Sequence, residues 1–174
     1  MKKIFKISLL SILFLIALFY VVYQKGYRVN FTPSYPSGIY KMIPKKKIEK
    51  GDFVIFCPPN TPLMQKALKR GYIKYGTCPG FFYPLLKKVV ALEEDYVEVS
   101  NFIYINQQKI PNTQVFKKDS KGNTLLKTKD NNITIPTGYM FVISNYHPLS
   151  FDSRYIGLVE VNRTISQMKL VYTF

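Results

Sequence analysis

Apolar residues are patterned in two ways along this chain. Residues 7 to about 23 carry no charge at all. A run of some 17 to 20 such residues, rising about 1.5 Å each as a helix, crosses a hydrocarbon core of about 30 Å. Beyond it the apolar residues fall into short runs bounded by turn residues. Gly51-Asp52 is a turn signal, and Phe53-Val54-Ile55-Phe56 after it reads as a short buried strand that Cys57-Pro58-Pro59-Asn60 ends. Thr61 then caps a predicted helix with Pro62 at its first position, Leu63, Met64, Ala67 and Leu68 at helical spacing, and Gly71 closing it. Residues 84–92 read as a core strand, and residues 96–99 and 102–105 flank Ser100-Asn101 as a two-residue hairpin. Further runs stand at 124–126, 132–135, 139–143 and 158–161, separated by turn signals at 119–123, Asp130-Asn131 and 136–138. The pattern predicts a mainly β, partly barrel-like domain with one short helix, placed after one N-terminal transmembrane helix.

Lys2, Lys3 and Lys6 precede the long apolar run and favour a cytoplasmic N-terminus, although Lys25 and Arg28 on the far side weaken the bias. The run ends Phe19-Tyr20-Val21-Val22-Tyr23, with no pair of small residues for a cleavage site, which argues against a removable signal peptide. Tyr20, Tyr23 and Tyr27 read as interfacial aromatics. We therefore expect residues 1–26 to form a cytoplasmic N-terminus and retained membrane anchor, and residues 27–174 a single domain outside the cytoplasm. A domain of that size buries enough surface to hold a core unaided. Formal net charge is +15, from 25 Lys and Arg against 10 Asp and Glu. The basic residues are scattered, with no recognition-helix, zinc-finger or RNP-like pattern, so anionic lipid headgroups fit better as the partner than nucleic acid. Two cysteines and one histidine leave almost no material for a metal site.

Candidate chemistry is concentrated in three stretches. In Thr32-Pro33-Ser34-Tyr35-Pro36-Ser37-Gly38, two prolines hold Ser34 on a backbone with little freedom, which suits a nucleophile; the same composition also describes a linker leaving the membrane. In the 84–92 strand, alternation puts Lys87 on the face of Leu85 and Val89 and Lys88 on the other. A lysine on an apolar face loses its charge more easily and then serves as a general base; the alternative is an edge strand with both lysines reaching water. Residues 150–157, Ser-Phe-Asp-Ser-Arg-Tyr-Ile-Gly, read as a polar loop in which Asp152 and Arg154 can pair. Residues 41–50 read as a basic segment with Lys45-Lys46-Lys47 toward solvent. Cys57 and Cys78, in a domain outside the cytoplasm, are expected to bridge, closing a loop whose restriction contributes about 3 kcal/mol on the chain-entropy model.

Taken in order, these pieces resemble the type I signal peptidases, and more closely their conjugative-transfer branch, the TraF-type peptidases. The resemblance is carried by Ser34-x-Pro36-x-Gly38-Ile39-Tyr40, Phe56-Cys57-Pro58-Pro59, Arg70-Gly71-Tyr72, the lysine strand, Cys78-Pro79-Gly80 and Ser150-Phe151-Asp152-Ser153-Arg154-Tyr155. It implies a signal-peptidase-like β-rich catalytic domain and a Ser–Lys dyad, with Ser34 as nucleophile and Lys87 as general base. It further implies a Thr32 hydroxyl that assists the oxyanion hole, a Ser150 that orients the lysine, and an Asp152–Arg154 pair that supports the site. The chemistry needs no cofactor. The implied partners are a pilin precursor or other exported pre-protein, the lipids of the membrane and the conjugative transfer machinery. In some members of the branch the substrate's own N-terminal amine resolves the acyl-enzyme and gives a cyclic pilin. The family usually has Pro-Gly-Asp after the lysine strand; Glu93-Glu94-Asp95 stands there and puts that turn's geometry in question. Rival readings are a general type I signal peptidase, a catalytically inactive membrane-tethered component of a transfer machine, and a basic nucleic-acid-binding module, which steeply salt-dependent DNA binding would reveal.

Overall fold

A computed structural model describes residues 2–44, 46–125 and 132–174. Helix α1, Lys2–Gln24, is the long apolar run, and none of its residues from Ile4 to Gln24 is buried against the domain. Only Lys25 and Gly26 separate it from strand β1, Tyr27–Asn30. Strand β2, Gly38–Ile43, pairs back on β1, and β3 is Phe53–Phe56. Helix α2, Pro62–Lys69, begins where the sequence predicts. Thr61 accepts the Met64 N–H at 3.3 Å, and Gly71 beyond the end has φ +75, a left-handed value that suits glycine. Then come β4 (Tyr75–Cys78), β5 (Leu85–Ala91), β6 (Tyr96–Val99), β7 (Ile103–Ile105), β8 (Gln108–Lys109), β9 (Asn132–Thr134) and β10 (Tyr139–Ile143). A single-turn helix α3 (Ser153–Ile156), β11 (Val159–Glu160) and the ten-residue β12 (Thr164–Thr173) complete the order.

The strands form a seven-stranded sheet, β1-β2-β12-β3-β5-β10-β11, and a four-stranded sheet, β8-β7-β6-β9. One core lies where Val54, Phe56 and Val89 meet Met64, Ala67 and Leu68 of α2, and a second where Ala91, Phe141 and Ile143 meet Val97, Ile103 and Ile105. The mainly β architecture and the single longer helix among the domain's described residues match the expectation; the 96–105 hairpin forms, but Val99 pairs with Ile103, so its connection is the three residues 100–102 and not Ser100-Asn101 alone.

Three local readings change. Residues 38–43 run as a strand into the supposed basic segment, because Tyr40 turns inward while Lys41 turns out. The 150–157 stretch is buried, with a helical turn inside it, because Asp152 and Arg154 neutralise one another. Strand β12 has no counterpart in the sequence reading; a bulge between Leu170 and Tyr172 and another between Thr164 and Ser166 break its alternation. Residue 124 makes only an isolated bridge to Lys118, while Lys45, Leu126 and the Asp130-Asn131 turn lie outside the described residues. At the Glu93-Glu94-Asp95 turn, Glu94 takes φ +70, a conformation glycine adopts without strain. Asp95 holds the turn in place, accepting the Leu92 N–H at 2.9 Å, Lys50 Nζ at 3.0 Å and Asn106 Nδ2 at 2.8 Å.

Candidate active site

Ser34 lies on the loop between β1 and β2, and one buried side chain organises that loop. The Asn30 amide nitrogen donates to the carbonyls of Thr32, Tyr35 and Pro36, each at 3.2 Å. Its oxygen accepts the Thr32 N–H at 3.1 Å and the Thr32 hydroxyl at 2.6 Å. Tyr35 plugs the loop into the domain, with its hydroxyl donating to the Ile143 carbonyl at 2.7 Å and its ring edge-on to Phe53 at 4.8 Å. Burial holds the Tyr35 phenol well above its ordinary pKa, so it remains a donor. From the other side the Ser144 hydroxyl donates to the Ser34 carbonyl. The loop is a clamped turn, and a mobile linker would show none of these bonds.

Lys87 comes to Ser34 from β5. Val54 lies opposite Lys87 in the sheet, and the Lys87 side chain is only 3% exposed. Its Nζ donates to Ser34 Oγ at 2.9 Å and to Ser150 Oγ at 2.7 Å, and the two serine oxygens lie 3.1 Å apart. Burial pushes the Lys87 ammonium down to about 8; Asp152 opposes that shift and Arg154 adds to it. Lys88, one residue on, turns to the other face as alternation requires.

The ion pair behind Ser150 fixes where its hydroxyl points. Arg154 Nε and Nη2 each donate to Asp152 at 2.8 Å, and both side chains are fully buried. Arg154 also donates to the carbonyls of Gln114, Ser144, Pro148 and Ser150, so one guanidinium gathers the 144–150 stretch and ties it to the segment at Gln114. Asp152 accepts the Ser144 and Arg154 N–H groups. Burial disfavours the guanidinium charge, but the bonds and charge of Asp152 outweigh it and hold Arg154 above its ordinary value.

The candidate residues separate cleanly in space. Ser34, Lys87 and Ser150 meet through their side-chain atoms, and Asp152 with Arg154 stands behind them. Thr32 lines the same cleft, but its hydroxyl proton is directed to Asn30, so in this structure it braces the loop and does not point to an oxyanion. Cys57 and Cys78 form a disulfide that ties the two ends of the α2 excursion. That excursion supplies one wall of the cleft, through Tyr72, Ile73 and Lys74. Three site residues lie beyond the sequence reading. Asn30 stands two positions before Thr32, a spacing at which asparagine commonly bonds nearby backbone, and that is a signal the sequence carries. Tyr35 and Ser144 act through partners more than a hundred residues away, which nothing local announces.

A family model described as signal peptidase, peptidase S26, matches residues 1–173. A conjugal transfer protein TraF of Agrobacterium fabrum is 35% identical over 150 residues, covering 86% of this chain and 84% of the relative. A plasmid transfer protein TraF of Escherichia coli is 33% identical over 153 residues, covering 87% and 86%. A solved signal peptidase I of Enterococcus faecalis V583 aligns with 74% of this chain and 100% of its own, at 19% identity and a TM-score of 0.43.

Proposed function

The chain belongs to the S26 signal peptidase family, and from that premise we propose that it is a membrane-anchored serine endopeptidase processing pilin or other exported pre-proteins for conjugative transfer. Ser34 is the nucleophile and Lys87 the general base. The observation that carries this reading is the Lys87 amine, buried, 2.9 Å from Ser34 Oγ and held down to about 8. A serine hydroxyl needs an adjacent base, and a neutral lysine amine is one. Neutral Lys87 has one lone pair and two N–H bonds. With one N–H kept on Ser150 Oγ, the neutral amine turns its lone pair to Ser34, and the Lys87–Ser34 contact reverses so that the Ser34 hydroxyl donates. As Ser34 Oγ attacks a peptide carbonyl, Lys87 takes the hydroxyl proton, and the Ser34 backbone N–H stabilises the oxyanion by roughly 3 kcal/mol. The Lys87 ammonium then protonates the leaving amine as the C–N bond breaks. Water, deprotonated by the same lysine, resolves the acyl-enzyme; a substrate amine in its place gives a cyclic product.

The domain reading goes with it: residues 1–26 anchor and residues 27–174 work on the periplasmic side of the inner membrane. An apolar helix at Ile4–Gln24 and a disulfide, which persists in oxidising compartments, support that placement. The relatives named for conjugal and plasmid transfer support the choice of substrate system. The test is to reconstitute the full chain with candidate pre-proteins of a transfer system and to read the products by mass spectrometry. Cleavage at one site, absent from Ser34→Ala, is expected. Equal cleavage by Ser34→Ala would remove the assignment.

A further inference from the structure

Arg70-Gly71-Tyr72, just beyond α2, takes no part in the Ser34–Lys87 chemistry and anchors a loop instead. With Gly71 at φ +75 between them, both of its neighbours reach residues 116–125. Arg70 Nη1 donates to the Thr124 carbonyl at 2.8 Å, and the Tyr72 hydroxyl donates to Asp119 Oδ2 at 2.6 Å. Asp119 Oδ1 accepts the Lys121 and Asn123 N–H groups at 2.9 and 2.8 Å. The bonds from Tyr72 and Asn123 hold the Asp119 carboxyl below its ordinary pKa, so this latch stays closed at neutral pH. At the start of the loop, the Phe116 N–H donates to the Tyr155 hydroxyl at 3.1 Å and ties it to α3.

These bonds frame a cavity of about 150 Å³. Its lining is mostly aromatic. Phe151 stacks on Tyr155 with centroids 5.5 Å apart and is tilted against Tyr72 at 5.4 Å. Phe116 and Leu149 complete the apolar wall, and Asp119 and the exposed Ser120 stand at the rim. An apolar cavity of about that volume admits a benzene-sized group. Tyr72, Leu149 and Phe151 also line the cleft that holds Ser34 and Lys87, so cavity and cleft adjoin. Leu149, on the shared wall, is 61% exposed. The direction of the reaction says which half of a substrate comes here. Lys87 gives its proton to the leaving amine, and its second partner, Ser150 Oγ at 2.7 Å, directly precedes Phe151. The leaving half therefore passes over Ser150 and Leu149 toward the cavity, while the acyl half stays on Ser34.

We propose that this cavity receives a bulky apolar side chain, of the size of leucine, methionine or phenylalanine, from the substrate segment just downstream of the scissile bond. The inference rests on the Ser34–Lys87 peptidase reading, and the experiment separates the two. Full-length enzyme in detergent is given a pool of random-sequence peptides, and the cut sites are read by mass spectrometry. Leucine, methionine and phenylalanine should be enriched at one downstream position. Two synthetic peptides differing only there, leucine against alanine, should differ about tenfold or more in kcat/KM. Ser120→Phe, which fills the cavity from its rim, and Leu149→Asp, which sets a charge on its wall, should each bring that ratio below about threefold. The ratio is taken within each variant, so a general loss of activity leaves it unmoved. No cutting by the wild type, or equal cutting by Ser34→Ala, overturns the peptidase reading and this one with it. Cutting that depends on Ser34 but shows no downstream preference, or a preference that both variants keep in full, overturns the cavity's role alone. Enrichment of lysine or arginine at that position would assign it to the Asp119 carboxylate and overturn the role as well.

Discussion

Lys87 makes a prediction that needs no knowledge of the substrate. Its folded pKa of about 8 lies below the ordinary 10.5. Between those values the unfolded chain binds the proton and the folded chain does not. Stability therefore rises with pH across that window, and what is present above the unfolded value is lost as pH falls through 8. The slope reaches about 1.4 kcal/mol per pH unit, and the full difference amounts to about 3 kcal/mol. Tyr35, Tyr40 and Tyr155, each held above the ordinary phenol value by burial, act in the opposite sense once free tyrosine ionises. The readable window therefore closes near about pH 9.5, leaving about 2 kcal/mol to measure. Urea unfolding of the full chain in detergent, at intervals from about pH 7 to 9.5, is the assay. Lys87→Met, similar in volume and unable to titrate, should flatten the profile. On the proposed function, activity follows the same group: about a tenth of the lysine is neutral at pH 7, against about one part in three thousand at an unshifted pKa. The turnover efficiency should climb about tenfold per unit below pH 8 and level off above it. Lys87→Arg should be inactive because guanidinium does not release its proton, while Lys88→Arg on the opposite face should be close to wild type. An unchanged stability slope in Lys87→Met, or an active Lys87→Arg enzyme, would refute the reasoning.

Three further outcomes are expected. Ser37→Ala should keep most of the cleavage that Ser34→Ala loses, and so should His147→Ala; product mass spectrometry distinguishes all three. Non-reducing peptide mapping of protein taken from the membrane should recover Cys57 linked to Cys78, and alkylation of both without prior reduction would contradict the bridge. Glu94→Gly should raise unfolding stability by about 1 kcal/mol, since glycine adopts the left-handed conformation without a Cβ penalty; a loss measured in urea would mean the glutamate side chain outweighs its backbone strain.

What can be read from the sequence divides according to the range of the interaction. Alternation in β5 separates Lys87 from Lys88, and the cap and stop signals of α2 lie within a few residues of the helix they bound. The Asp152–Arg154 stretch reads as a solvated loop because two charges beside two serines look polar. Its burial depends on a bidentate pair whose guanidinium reaches the Gln114 carbonyl, forty residues away. Strand β12 is illegible for a related reason: its bulges erase period-two alternation, and its place between β2 and β3 is set by partners more than a hundred residues earlier. The Ser34 loop is legible as rigid from its prolines, but the clamp that holds it comes from Asn30, Tyr35 and Ser144.

That position of β12 also sets when the enzyme can first act. The serine is carried on the β1–β2 hairpin and the lysine on the β3–β5 pair, and these two pieces join in the sheet only through the strand inserted between them. A chain emerging during synthesis has both reactive side chains well before it has residues 164–173. Until those are made, nothing in the sheet links the hairpin to the β3–β5 pair, and the Tyr35 plug and the Ser144 bond must align Ser34 with Lys87 unaided. On the proposed Ser34–Lys87 reading, a chain truncated before residue 164 should therefore cleave poorly, and the order of synthesis would hold peptide-bond cleavage back until the domain closes on its latest strand.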